Sequence, residues 1–156
     1  MKITRATEYA IRCITFLSKL GPGELANKND IAQQAEIPPH FLAKIGQDLA
    51  RAEIIEIRQG ARGGFILLKN PAEISLLEVV ETMLGEIYLN DCVARPSSCN
   101  ALDACGVHKV WIKARQQLRE TLRQATFDKL IRDKSCLPAL GGSRISIKNT
   151  EMRKNQ

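Results

Sequence analysis

The chain has 156 residues, 44% of them hydrophobic and 26% charged, which suits one compact core with a helical extension and leaves too little for two large domains. That balance excludes global disorder. No apolar run approaches the ~20 residues that cross a bilayer, and the opening MKITRATEYAIRC lacks a signal-peptide apolar region, so a cytoplasmic location with no membrane partner is expected. The net charge of +6 is uneven: residues 1–70 carry ten Lys/Arg against seven Asp/Glu, residues 71–106 one against six, and residues 107–156 twelve against four. Basic ends around an acidic middle make nucleic acid a candidate partner, although a charge excess that only solvates the surface gives the same totals.

Apolar periodicity predicts a first helix over residues 4–20, with Tyr9, Ile11, Cys13, Ile14, Phe16, Leu17 and Leu20 on its apolar face. Thr4 or Thr7 is placed to cap it, and Gly21-Pro22-Gly23 stops it. A short second helix is expected from about Asn29, capped by Asn29 or Asp30. Pro38-Pro39 opens a third, whose face is Phe41, Leu42, Ile45, Leu49 and Ala52. The pattern then changes to strand: Ile54, Ile55 and Ile57, a Gly60-Ala61-Arg62-Gly63-Gly64 turn, and Phe65 to Leu68 read as a hairpin.

Three helices followed by a hairpin give a mainly α fold class, a winged helix-turn-helix with a two-stranded wing. Ser75 is expected to cap a fourth helix over 75–87, with Glu78 placed for a capping box. Residues 89–106 read as loop. Residues 107–131 read as one long helix with a narrow seam of Val107, Val110, Trp111, Ala114, Leu118, Leu122 and Ala125, the pattern of a helix packed on a partner. The organisation expected is a DNA-binding domain over 1–70, a linking helix and loop over 71–106, a dimerisation helix and return segment over 107–138, and a disordered basic tail over 139–156.

In a helix-turn-helix the second helix of the pair presents its N-terminal residues to base edges in the major groove. Those positions are Pro39, His40, Phe41, Ala43 and Lys44. His40 and Lys44 can donate to bases or phosphates, Ala43 offers only apolar contact, and Gln47 is placed for phosphate. Arg58, Gln59 and Arg62 flank or occupy the glycine-rich tip, which can approach the sugar-phosphate backbone closely. Each has a plainer reading: His40 at a solvated helix start, Lys44 as a surface lysine, Phe41 as core.

Five cysteines, an odd number, argue for free, catalytic or metal-bound thiols over disulfides. Cys92, Cys99 and Cys105 fall within fourteen residues, and His108 follows the third by three. Three thiolates and an imidazole suit an iron–sulfur cluster or a Cys3His zinc site. No tight Cys-x-x-Cys pair is present, and gaps of six and five residues suit a loop folded around a larger cluster. Cys13, inside an apolar face, is expected to be core, and Cys136 carries no assigned role. No phosphate loop, nucleophile elbow or paired-carboxylate set supports an enzyme.

The order MKITRATEYAIR, HFLAKIGQDLARAEII, RQGARGGFIL, the three cysteines, then HKVW and a long helix resembles the IscR/NsrR/RirA group of bacterial iron–sulfur transcription regulators. The resemblance spans Met1 to about Leu130. It implies a dimeric winged helix-turn-helix joined through the long helix, binding double-stranded operator DNA, with a cluster on Cys92, Cys99 and Cys105. It implies two candidates for the fourth ligand. His108 matches the IscR-like position, with a [2Fe-2S] cluster. Glu8 matches the NsrR-like position, donated by the partner subunit to a [4Fe-4S] cluster. The Cys-x-x-His followed by Trp111 favours [2Fe-2S] with His108. Ala43 stands where IscR-type proteins carry a base-reading Glu, so the operator need not match theirs. The expected function is regulation of transcription by cluster state, set by redox, iron or nitric oxide. The alternatives are a zinc- or thiol-based winged-helix regulator and an iron–sulfur assembly or electron-transfer protein.

Overall fold

In the computed structural model, which describes residues 2–132, the chain runs α1 (Arg5–Leu20), β1 (Leu25–Asn27), α2 (Lys28–Gln34), α3 (Pro39–Arg51), β2 (Ile55–Arg58), β3 (Gly64–Leu67), α4 (Leu76–Leu84), α5 (Asp91–Ala94), α6 (Gly106–Gln124) and α7 (Phe127–Arg132). The expectations for Cys136 and for the tail over 139–156 lie outside the described residues, as does the end of the return segment.

Thr4, not Thr7, caps α1: its hydroxyl accepts from the Thr7 amide at 3.2 Å, while Thr7 is buried and pairs hydroxyl to hydroxyl with Thr4 at 2.9 Å. The cap of α2 is Asn27, two residues before Asn29 and three before Asp30, the positions expected, because its side chain accepts from the Asn29 amide at 2.7 Å. Ser75 caps α4 through the Glu78 amide at 3.1 Å. The Glu78 carboxylate accepts instead from Lys69 Nζ at 2.7 Å, tying the wing's exit to α4.

The sheet has three strands in the order β1-β3-β2, all antiparallel. The hairpin expected from sequence is β2 and β3, and the third strand, β1, is the addition. Three residues with one buried side chain give no period to read. Tertiary pairing makes it a strand: Gly64 lies opposite Asn27, and any side chain there would collide with the Ala26 carbonyl.

The largest departure is at the end of the long helix. Instead of one helix over 107–131, the chain leaves α6 at Ala125 and restarts as α7 at Phe127. Two backbone hydrogen bonds draw this joint onto the start of α4: Leu76 N donates to Ala125 O at 2.8 Å and Phe127 N to Ile74 O at 3.0 Å. Backbone groups satisfied across the fold no longer serve the helix. The break turns Phe127 into the main core, fully buried with Ile14, Leu17, Ile45, Leu49, Phe65 and Ile74. That core therefore runs past residue 70 and takes in α7. A smaller cluster of Leu77, Val80 and Ile87 is covered by Leu118 and Leu122 of α6.

Candidate DNA interface and thiol loop

The sequence-derived contact residues lie on α3 and on the wing β2–β3. Pro39 is the first residue of α3 after the Pro38 cap, where a missing amide hydrogen costs no hydrogen bond. His40, Ala43, Lys44 and Gln47 are exposed, while Leu42, Ile45 and Leu49 are buried beneath them. Phe41 is half-buried, packed against both Tyr9 of α1 (centroids 5.1 Å apart) and His40 (4.6 Å). The plainer reading of Phe41 holds in part, and its ring also gives His40 a surface to lie on. Gly46 sits where a side chain would collide with the Phe65 ring, so α3 and the wing meet as closely as backbone allows.

At the wing, Arg58, Gln59 and Arg62 are all exposed. Gly60 has φ +100°, a conformation favouring glycine, and Gly63 N donates to Gly60 O at 2.9 Å to close the turn. Arg58 is paired with Glu56 at 3.1 Å, so it would have to exchange that carboxylate for a phosphate. Arg62 has no ion pair among the described residues.

The loop between α4 and α6 is not featureless: α5 and the 3-10 turns Pro96–Ser98 and Leu102–Ala104 fold it. Cys92 lies in α5, Cys99 ends the first turn and Cys105 precedes α6, and all three are half-buried free thiols. His108, in the first turn of α6, comes to Cys92: Nδ1 and Sγ are 3.4 Å apart. No group of three or more His, Cys, Asp or Glu among the described residues is gathered closely enough to hold a metal ion. The donor chemistry nevertheless fits a thiolate-ligated group, since three accessible soft donors and one imidazole share a single loop. Glu8 is exposed in the first turn of α1, outside that loop. Cys13 is fully buried, and burial pushes its thiol pKa from near 9 to about 12, which leaves it inert as a ligand or nucleophile.

Sequence reading missed the groups that hold the loop by its stems. Glu81 of α4 accepts from the Ile87 amide at 3.0 Å and from Arg119 of α6. Arg115 donates to the Ile87 carbonyl at 2.9 Å and pairs with Glu86. The signal was there as arginines four apart on α6 and acidic residues five apart at the end of α4, but only the fold brings the two sets together.

The seam of α6 divides. Leu118 and Leu122 are used inside the chain. Val107 and Val110 are 57% and 61% exposed, and Trp111 and Ile112 are exposed beside them. Among the described residues no helix is long and apolar enough to cross a membrane.

Comparison with known proteins agrees with this architecture. The family described as Rrf2, iron-dependent transcriptional regulator, matches residues 3–133. The HTH-type transcriptional regulator NsrR of Geobacillus kaustophilus is 33% identical over 141 residues, covering 90% of this chain and 96% of that protein. The structure of CymR, the global cysteine regulator of B. subtilis, superposes with a TM-score of 0.69 at 21% identity, over 86% of this chain and 99% of that one. IscR of T. potens superposes with a TM-score of 0.63 at 20% identity, over 85% and 88%. The fold is thus the winged helix of these structures. The family, the Geobacillus kaustophilus protein and the B. subtilis protein are named as regulators, not as enzymes.

Proposed function

The chain belongs to the Rrf2 family of transcriptional regulators, and from that premise we propose that it binds operator DNA as a homodimer under the control of an iron–sulfur cluster held by Cys92, Cys99 and Cys105. The observation that carries this reading is the loop: three half-buried free thiols, with Cys92 already 3.4 Å from the His108 imidazole. Three thiols and one imidazole fall within seventeen residues, from α5 to the first turn of α6. His108 is favoured as fourth ligand, and with it [2Fe-2S], because it reaches Cys92 within one chain. Glu8 with [4Fe-4S] would need the partner subunit.

When bound, a cluster supplies redox- and iron-dependent charge and a fixed geometry for the loop. The protein's own groups do the rest. Arg115, Arg119 and Glu81 hold the loop stems to α4 and α6. Lys69 and Glu78 tie α4 to the wing. The exposed Val107, Val110 and Trp111 form the surface for the second subunit. A change in the loop is therefore attached at one end to the dimer helix and at the other, through α4, to the reading head. The spacing of two half-sites on DNA is geometric, so a small change in that angle changes affinity. A coupling of about 1–3 kcal/mol shifts binding about 5–150-fold.

Protein purified without oxygen tests the reading through its visible absorption, iron and sulfide. About two of each per monomer supports [2Fe-2S] with His108, and about four of each moves the ligand to Glu8. Colourless, iron-free protein that resists reconstitution but binds a specific duplex would leave the thiol- or zinc-based regulator. Coloured protein with no duplex preference would leave the electron-transfer reading.

A further inference from the structure

We infer that Lys28 is a phosphodiester contact of the operator complex, seated between the recognition helix and the wing. The inference rests on the DNA-binding reading above and adds a residue that the sequence pattern does not single out. Lys28 begins α2, far in sequence from both the recognition helix and the wing tip. The sheet register removes that distance. Asn27 pairs with Gly64, and Gly64 with Arg58, so one row of the sheet runs Asn27–Gly64–Arg58. Lys28 follows directly at the end of that row where the chain also turns through Gln59 to Gly63.

Phe65 sets where the lysine stands. Its ring is 1% exposed and lies against Gly46 of α3, where no larger side chain fits. Lys28 Nζ is 5.9 Å from the same ring's centroid. One aromatic ring thus packs against the middle of α3 and also lies near the ammonium of the exposed Lys28. An ammonium held near an aromatic ring at an exposed position loses less freedom on binding than one that waves free.

Charge accounting favours Lys28 over its neighbour. Arg58, at the end of the same row, is committed to Glu56 at 3.1 Å. Lys28 has no carboxylate partner among the described residues. An unpaired cation between a major-groove helix and a wing faces the sugar-phosphate strand that separates the two grooves. It reads no base, so its contribution is the same for every sequence.

The test uses full-length protein and two duplexes of equal length, one recovered from a random-sequence library by the wild-type protein and one unrelated. The variants are Lys28→Met, which keeps an unbranched side chain of similar length and removes the charge, and Lys28→Arg, which restores it. Lys28→Met is expected to keep the wild-type melting temperature and to weaken both duplexes by the same factor. Its slope of log affinity against log salt should fall by about 0.9 per engaged subunit. The wild-type advantage then shrinks about three- to fourfold per subunit between 50 and 200 mM salt. Lys28→Arg should return the slope. An unchanged slope in Lys28→Met, or a loss confined to the selected duplex, overturns the assignment. Wild-type protein that binds neither duplex removes the DNA-binding reading itself and this inference with it, a result distinct from failure of the lysine alone.

Discussion

The reading head and the thiol loop are held by different physics. The head, from α1 to the wing with α7 returning onto it, surrounds a continuous apolar core in which Ile14, Leu17, Ile45, Leu49, Phe65 and Phe127 are essentially inaccessible. Among its described side chains the loop from Tyr88 to Cys105 buries none fully, and it is anchored by polar groups at its stems. Apolar burial of that extent fixes one arrangement, whereas a few ion pairs at half-exposed sites contribute little each. The regulation proposed above would use this contrast: a head that keeps its shape and a segment whose order depends on what it binds.

The largest blow to that contrast comes from the joint that closes the head. Phe127→Ala removes a fully buried ring and should cost about 3–5 kcal/mol of folding stability, read as a lower midpoint in urea. A loss below about 1 kcal/mol would mean that α7 is not part of the head's core. Val110→Asp, at a position 61% exposed in the single chain, should leave the fold intact and turn the proposed dimer into monomer by sedimentation. A dimer that survives would move the interface off the N-terminal half of α6.

Smaller effects on the fold belong to the loop. Cys99→Ala should change folding stability by less than about 1 kcal/mol, because its side chain is only half-buried. The same change should abolish stable iron and sulfide incorporation, and a full cluster in this variant would strike Cys99 from the ligand set. Arg62→Ala should lower the salt slope of duplex binding by about 1 per subunit without touching the cluster.

A last effect, negligible at neutral pH, sharpens the comparison at alkaline pH. The Cys13 thiol is neutral in the folded protein up to about 12 and ionises near 9 once exposed. Stability from this group is whole below pH 9 and is lost as pH rises from 9 towards 12. Cys13→Ala should therefore flatten the alkaline fall in stability. At pH 8 a thiol reagent should label Cys92, Cys99 and Cys105 in folded apo protein and reach Cys13 only in denaturant, as peptide mapping would show.

Much of the fold was legible along the chain, because each signal was local and strong. Periods of three and four placed α1 and α3, Ser75 and Gly21 marked helix ends, and β-branched runs around Gly60 to Gly64 gave the wing. The candidate site was legible as residue types: three cysteines, a histidine three on, and arginines at a glycine turn. What tertiary structure decided lies where distant backbone or charge competes with local preference. β1 is a strand only because β3 pairs with it. The helix over 107–131 breaks because Ile74 and Leu76 claim its backbone, a contact across some fifty residues of chain. Which half of the α6 seam is used inside the chain, which acidic residues take Arg115 and Arg119, and how Lys28 comes to stand near Phe65 follow from long-range contacts. Propensity and spacing report on neighbours a few residues apart, and these contacts join residues that are neighbours only once the chain has folded.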